Sequence, residues 1–146
     1  MKIKEIHLEK FKRFTDLTIK NIPEQTKLVV LVGPNGCGKS SLFDAFKTWH
    51  RLNGYNNGTD NAYCKKDAED PRESYQLVNI DFYKDISKIT KEEKRKYFYF
   101  RTAYRNSPMI TVRSLEQIKS PLEKIDGKMM IENDSTVNDN YQRLIA

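Results

Sequence analysis

Apolar and polar residues alternate at the start of the chain and predict a pair of antiparallel strands. The alternation runs through residues 6–9, stops at a polar turn, and resumes in residues 17–19. Successive side chains of a strand point to opposite faces, so this spacing is typical of strands buried on one face. We expect residues 2–20 to form an antiparallel hairpin or meander.

A continuous apolar run and a helical repeat follow. Leu28-Val29-Val30-Leu31-Val32 has no polar interruption, which predicts a buried strand. Further on, large apolar residues recur at helical spacing on one face: Leu42, Phe43, Ala45, Phe46, Trp49 and Leu52. They predict an amphipathic helix that begins near Lys39 and ends at Asn53-Gly54.

The second half of the chain has weaker signals. Alternation predicts a strand with one polar face over residues 75–83. Thr90-Lys91-Glu92-Glu93 is a capping-box pattern that predicts a short basic helix, and the aromatic residues 97–100 predict a strand after it. A second capping-box pattern lies at residues 114–117, and residues 137–145 have the spacing of an amphipathic helix.

Length and composition favour one domain, residues 1–146. Hydrophobic residues make up 38% of the chain, and its seven Phe, eight Tyr and one Trp argue against general disorder. Residues 53–73 are rich in turn-forming and charged residues and predict a mobile connection inside this domain. No apolar run could cross a bilayer, no signal peptide is evident, and the two cysteines match no metal-binding spacing. We therefore expect a cytoplasmic protein that does not contact a membrane.

The strongest chemical signal directly follows the apolar run. Gly33-Pro34-Asn35-Gly36-Cys37-Gly38-Lys39-Ser40 fits GxxxxGK[ST], the phosphate-binding P-loop. Its glycines let successive backbone N–H groups point into one concavity, and the N-terminus of the following helix attracts the same anion. The pattern predicts a nucleoside triphosphate as ligand.

Each position of the loop has a predicted role. The Lys39 ammonium is suited to the β- and γ-phosphates, and the Ser40 hydroxyl is suited to Mg²⁺. The predicted nucleotide-binding residues are consecutive in the chain: Asn35, Gly36, Cys37, Gly38, Lys39, Ser40 and Ser41. Ser40 is the predicted metal ligand, and Lys39 is the one visible catalytic candidate.

The loop and the start of the chain resemble one branch of the P-loop ATPases. Gly33–Ser41 looks like the Walker A motif of ABC-type ATPases and is most similar to that of the RecF, SMC and OLD-like group. The opening strand with Lys10-Phe11-Lys12-Arg13-Phe14 resembles the NF(K/R)xF turn of that group, with Lys10 in place of Asn. The resemblance is strong over residues 1–50 and thins afterwards.

This resemblance implies a fold and three further candidate site residues. The expected fold is α/β, the N-terminal lobe of a P-loop NTPase, with antiparallel strands beside a mainly parallel sheet that carries the P-loop and its helix. The opening sheet would cover the base and sugar of ATP, so Lys12, Arg13 and Phe14 become candidates for contacts to the base or phosphates. An equally weighted alternative is that Phe11 and Phe14 are core residues with two exposed basic neighbours.

Motifs needed for hydrolysis are missing from the sequence. No apolar strand ends in an acidic pair, and no LSGG-like signature is present. In the family these parts lie far downstream, so we expect a chain that binds MgATP without efficient turnover and is completed by a C-terminal half or a partner subunit. The resemblance implies a dimer of nucleotide-binding lobes, a DNA or nuclease partner, and DNA repair, chromosome maintenance or anti-phage defence as settings.

Two other hypotheses come from charge and from the missing motifs. The net charge of +6 is compatible with a basic nucleic-acid-binding module whose P-loop is vestigial. Alternatively, the chain is a regulatory interaction subunit whose P-loop binds ATP without hydrolysing it. The first hypothesis predicts salt-sensitive DNA binding indifferent to ATP, and the second predicts nucleotide-dependent assembly.

Overall fold

The computed structural model describes residues 2–55, 61–98 and 100. The chain divides into two compact units, residues 1–97 and 98–146. In the second unit, the rings of Phe98 and Phe100 stack with their centroids 5.6 Å apart. The elements predicted at residues 114–117 and 137–145 lie outside the described residues.

The first unit contains a three-stranded antiparallel sheet. Its strands are β1 (Ile3–Glu9), β2 (Asp16–Ile19) and β3 (Val78–Phe82), in the spatial order β2-β1-β3. The buried Leu8 of the central strand lies opposite Leu17 on one side and Val78 on the other. The predicted hairpin of residues 2–20 is confirmed, because the alternating pattern places its apolar side chains on one face.

Helix α1 (Lys39–His50) packs against this sheet and completes the core. Its buried face includes Leu42, Ala45 and Trp49, and the Trp49 ring lies 5.1 Å from the ring of Phe82 in β3. The helix predicted from apolar spacing is therefore confirmed from its first residue, Lys39. It continues as a π-helical turn, Arg51–Tyr55, which contains the predicted stop at Asn53-Gly54.

Shorter elements connect α1 to β3 and follow it. Residues Asn61–Cys64 form the one-turn helix α2, and Ser74–Leu77 form a 3₁₀ turn that leads into β3. Helix α3 (Lys91–Arg95) begins where the capping-box pattern predicted, with the Thr90 hydroxyl accepting a hydrogen bond from the Glu93 N–H at 3.3 Å.

Residues 28–32 differ from their prediction. They do not belong to a strand, and the side chains of Leu28, Val29, Val30 and Val32 are 60–88% exposed. A strand exists only through hydrogen bonds to a neighbour, and the three strands of the described sheet pair with one another rather than with this segment. The sheet seen in the described ranges is wholly antiparallel, so the expected parallel pairing is not part of it.

Two other predicted strands also differ. The strand expected over residues 75–83 starts only at Val78, because Glu73 and Gln76 cap the preceding 3₁₀ turn. Tyr97, Phe98 and Phe100 are not in a strand, although their aromatic side chains favour one. The Tyr97 N–H instead donates to the carbonyl of Lys94 at 3.1 Å, in a turn that follows the C-terminus of α3.

Candidate functional site

The glycine-rich loop lies immediately before α1. Gly36 and Gly38 have φ angles of 84° and 105°, in the left-handed region that favours glycine. Gly38 is the N-cap of α1 and its carbonyl accepts a hydrogen bond from the Leu42 N–H at 3.0 Å. The first N–H groups of a helix have no partner within it, so the start of α1 offers donors to an anion.

Lys39 places a positive charge over this loop. Its ammonium donates hydrogen bonds to the carbonyls of Gly33 at 2.6 Å and Pro34 at 2.8 Å. The charge therefore lies beside the helix N-terminus, where the partial charge of the backbone is also positive. Together they form a site suited to a phosphate group.

A second cation reaches the loop from the turn between β1 and β2, residues 10–15. The Arg13 guanidinium donates a hydrogen bond to the carbonyl of Gly36 and is otherwise exposed. The neighbouring Phe14 ring packs on Gly38, where a Cβ atom would lie 2.7 Å from the ring. The turn is thus in direct contact with the two left-handed glycines.

Lys12 points to a different part of the molecule. Its ammonium pairs with the carboxylate of Asp44 in α1 and lies 3.5 Å from the centroid of the Tyr63 ring. The side chain is only 9% exposed. Burial alone would lower the pKa of Lys12, but the hydrogen bonds with Asp44 and Tyr63 raise it above the ordinary value. Of the two basic candidates, only Arg13 contacts the loop.

The remaining predicted residues surround the start of α1. Asn35, Cys37 and Ser40 are exposed, whereas Ser41 is buried. The Cys37 thiol lies 3.7 Å from the Lys39 ammonium. Phe14, the third candidate of the family-like turn, is half-buried and packs on Gly38 of the loop.

A magnesium ion would find one protein ligand at this position. Mg²⁺ in nucleotide sites takes oxygen ligands, largely waters and phosphates, so a single exposed hydroxyl such as that of Ser40 fits the share a protein contributes. Within residues 2–55 and 61–98, no group of three or more His, Cys, Asp or Glu side chains could hold a metal ion by itself. The residues present fit a metal that arrives with phosphate.

The part of the chain that the structure describes also lacks any helix long and apolar enough to span a bilayer.

The chain is similar in sequence to known proteins. The family model for the AAA ATPase domain matches residues 1–145. Chromosome partition protein Smc of Bordetella petrii is 47% identical over 47 residues, and that of Burkholderia pseudomallei is 49% identical over the same length. Each alignment covers 32% of this chain but only 4% of the relative. These matches confirm the predicted resemblance to the SMC- and RecF-like group of P-loop ATPases. No solved structure shows significant similarity to the chain.

Proposed function

The chain belongs to the AAA ATPase domain family, and from this premise we propose that it binds MgATP at the loop of residues 33–41. The observation that carries the proposal is the position of the Lys39 ammonium, folded over the loop at the N-terminus of α1. A positive charge beside the backbone donors of a helix N-terminus favours phosphate binding, and the hydrogen bonds from Lys39 to the loop carbonyls would be exchanged for stronger, charge-assisted bonds to phosphate.

In this proposal, different residues of the loop bind different parts of MgATP. The backbone N–H groups from Gly36 to Ser41, Cys37 included, hold phosphate oxygens, and Asn35 completes the cradle. Lys39 neutralises the β- and γ-phosphates, and the Ser40 hydroxyl holds Mg²⁺. The metal would supply charge neutralisation at the phosphates.

Arg13 is the second cation of the proposed site. Its guanidinium already contacts the loop at Gly36, and planar guanidinium groups bind phosphate oxygens through two hydrogen bonds. Lys12 was an equal candidate in sequence, but its pairing with Asp44 favours a role in holding the turn to α1. We therefore assign the nucleotide contact to Arg13.

The segment that matches this chain makes up 4% of the Smc protein of Bordetella petrii. Hydrolysis and partners are therefore proposed for a complete protein. Because an acidic second motif is missing, we propose binding without efficient turnover by these 146 residues. The complete ATPase would dimerise through its nucleotide-binding lobes and act with DNA or a nuclease. The chromosome-partition name of the Smc relatives favours DNA. The exposed apolar side chains of Leu28, Val29, Val30 and Val32 favour a segment that is covered in the complete protein, and the mainly parallel sheet that the family resemblance implies would cover it.

The proposal is tested by removing the Lys39 charge. We expect Lys39→Ala to lower MgATP affinity by about 100-fold or more, since it removes charge-assisted hydrogen bonds to phosphate worth roughly 1.5–3 kcal/mol each. Lys88→Ala, which removes an equal charge from an exposed turn, is the matched control and should bind like the unmodified chain. Equilibrium titration with a fluorescent ATP analogue measures both.

Equal affinity in the Lys39→Ala and Lys88→Ala variants would contradict the proposed site. If the unmodified chain instead bound DNA in a salt-sensitive way that ignored ATP, the basic nucleic-acid-binding hypothesis would replace it.

A further inference from the structure

Residues 64–72, which we call the clamp, lie against the β1–β2 turn. The Lys12 N–H donates to the carbonyl of Cys64 at 2.8 Å, and the Lys66 N–H donates to the carbonyl of Lys10 at 2.8 Å. Phe11 and Lys65 face each other in this short antiparallel bridge. The clamp therefore fixes the backbone path of the turn through hydrogen bonds whose partners are more than 50 residues apart in the sequence.

An ionic cluster closes the other end of the clamp. The Asp70 side chain is 2% exposed and accepts hydrogen bonds from the Arg72 backbone N–H at 3.0 Å and from its guanidinium at 2.8 Å and 3.1 Å. The same guanidinium reaches the Glu9 carboxylate at 3.0 Å. Since Glu9 is the last residue of β1, Arg72 ties the clamp to the strand just before the turn begins.

The turn needs such external contacts to keep its shape. Lys10 and Lys12 both have φ angles of 49°, a left-handed conformation that residues other than glycine adopt at a cost in free energy. Two such residues within three positions persist only where surrounding contacts hold them. The clamp supplies backbone partners to both of them.

The same turn carries the two side chains that touch the loop. Arg13 contacts Gly36 and Phe14 contacts Gly38, directly after the clamped residues. A change in the turn would therefore move the guanidinium and the ring relative to the loop. A continuous series of contacts therefore leads from Arg72 through the turn to Gly36 and Gly38.

We propose that Arg72 is a positioning residue for nucleotide binding and that closure of the clamp is coupled to occupation of the loop. This inference rests on the proposed function. Arg72 never touches the nucleotide, and it acts by holding the turn that presents Arg13 and Phe14. Coupling of this kind is reciprocal, so a ligand on the loop must in turn favour the closed clamp.

Opening of the clamp can be measured by the rate at which a thiol reagent labels Cys64. Cys64 belongs to the clamp, is 4% exposed, and has its sulfur 3.9 Å from the Thr48 hydroxyl, whereas Cys37 is exposed in the loop. A maleimide reaches Cys64 only when the clamp opens, so its initial labelling rate reports that opening. Mass spectrometry of the digested full chain separates Cys64 from Cys37.

We expect saturating MgATP to slow Cys64 labelling by about fivefold or more. Arg72→Gln should speed Cys64 labelling and weaken MgATP binding by a similar factor, with Arg72→Lys between it and the unmodified chain. Glu69→Gln, an exposed change within the clamp, is the matched control and should alter neither quantity. Glu9→Gln removes only the ion pair between Arg72 and β1, and it replaces Arg72→Gln in both measurements if that variant does not fold.

The outcomes separate the inference from the function on which it rests. If MgATP binds but leaves the Cys64 rate unchanged, or if the Arg72 and Glu9 variants open the clamp without weakening MgATP binding, the clamp is only structural and the inference is overturned. If titration of the unmodified chain detects no MgATP binding, the proposed function fails and the inference fails with it.

Discussion

Gly36 and Gly38 illustrate how single residues shape the candidate site. Both have left-handed φ angles, which an L side chain rarely adopts. Their surroundings differ, because a Cβ at Gly36 would meet the end of the flexible Arg13 side chain at 3.4 Å, whereas one at Gly38 would meet the Phe14 ring at 2.7 Å. Backbone strain is common to both positions, but a steric clash with a packed ring is specific to Gly38.

We therefore predict that Gly38→Ala is more damaging than Gly36→Ala. The strain should cost about 1–3 kcal/mol at either position, and displacement of Phe14 should add to it at Gly38. Thermal unfolding and MgATP titration of both variants measure the difference, with at least about a tenfold further loss of affinity expected for Gly38→Ala. Equal behaviour of the two variants would mean that the Phe14 contact has no role in the loop.

At the scale of elements, charge links the clamp to β1. Hydrogen bonds from Arg72 hold the pKa of the Asp70 carboxyl well below its usual range, and a hydrogen bond from Arg72 also lowers the pKa of Glu9. A lowered folded-state pKa stabilises the fold above the unfolded-state value, which is about 4 for these groups. That contribution is lost as pH falls through the lowered folded-state pKa.

The predicted consequence is a pH-dependent effect of Asp70→Asn. The variant keeps an acceptor for the Arg72 N–H but loses the charge, so its melting temperature should lie below that of the unmodified chain at pH 7. The gap should narrow as the pH falls below about 4, because the Asp70 carboxyl of the unmodified chain then becomes protonated in the unfolded state, which favours unfolding, while it stays charged in the folded state. Thermal melts from pH 7 to pH 3 measure it, with Asp67→Asn as the control in the same segment. A gap independent of pH would contradict the account.

Elements governed by local pattern could be predicted from sequence, and those that depend on distant partners could not. The hairpin and α1 follow from alternation and helical spacing, and α3 follows from its Thr90 cap. Residues 28–32 have the composition of a buried strand, yet burial depends on a neighbouring strand that composition does not specify. The clamp was missed because turn-forming and charged residues carry no periodic signal.

At the scale of the whole molecule, the candidate site was largely visible in sequence. The P-loop pattern predicts residues 33–41 as the site because phosphate binding needs glycines, a lysine and a hydroxyl at fixed spacing. The difference between Lys12 and Arg13 was not visible, since adjacent basic residues in a turn can face opposite ways. Lys12 and Arg13 both lie in the β1–β2 turn, which contacts the loop and the clamp.

Calorimetric titration of MgATP into the unmodified chain measures whether these 146 residues bind MgATP. ATP turnover is assayed on the same sample. We expect saturable binding of one nucleotide per chain without efficient turnover. A folded chain that releases or absorbs no heat of binding with MgATP at any temperature tested would contradict it.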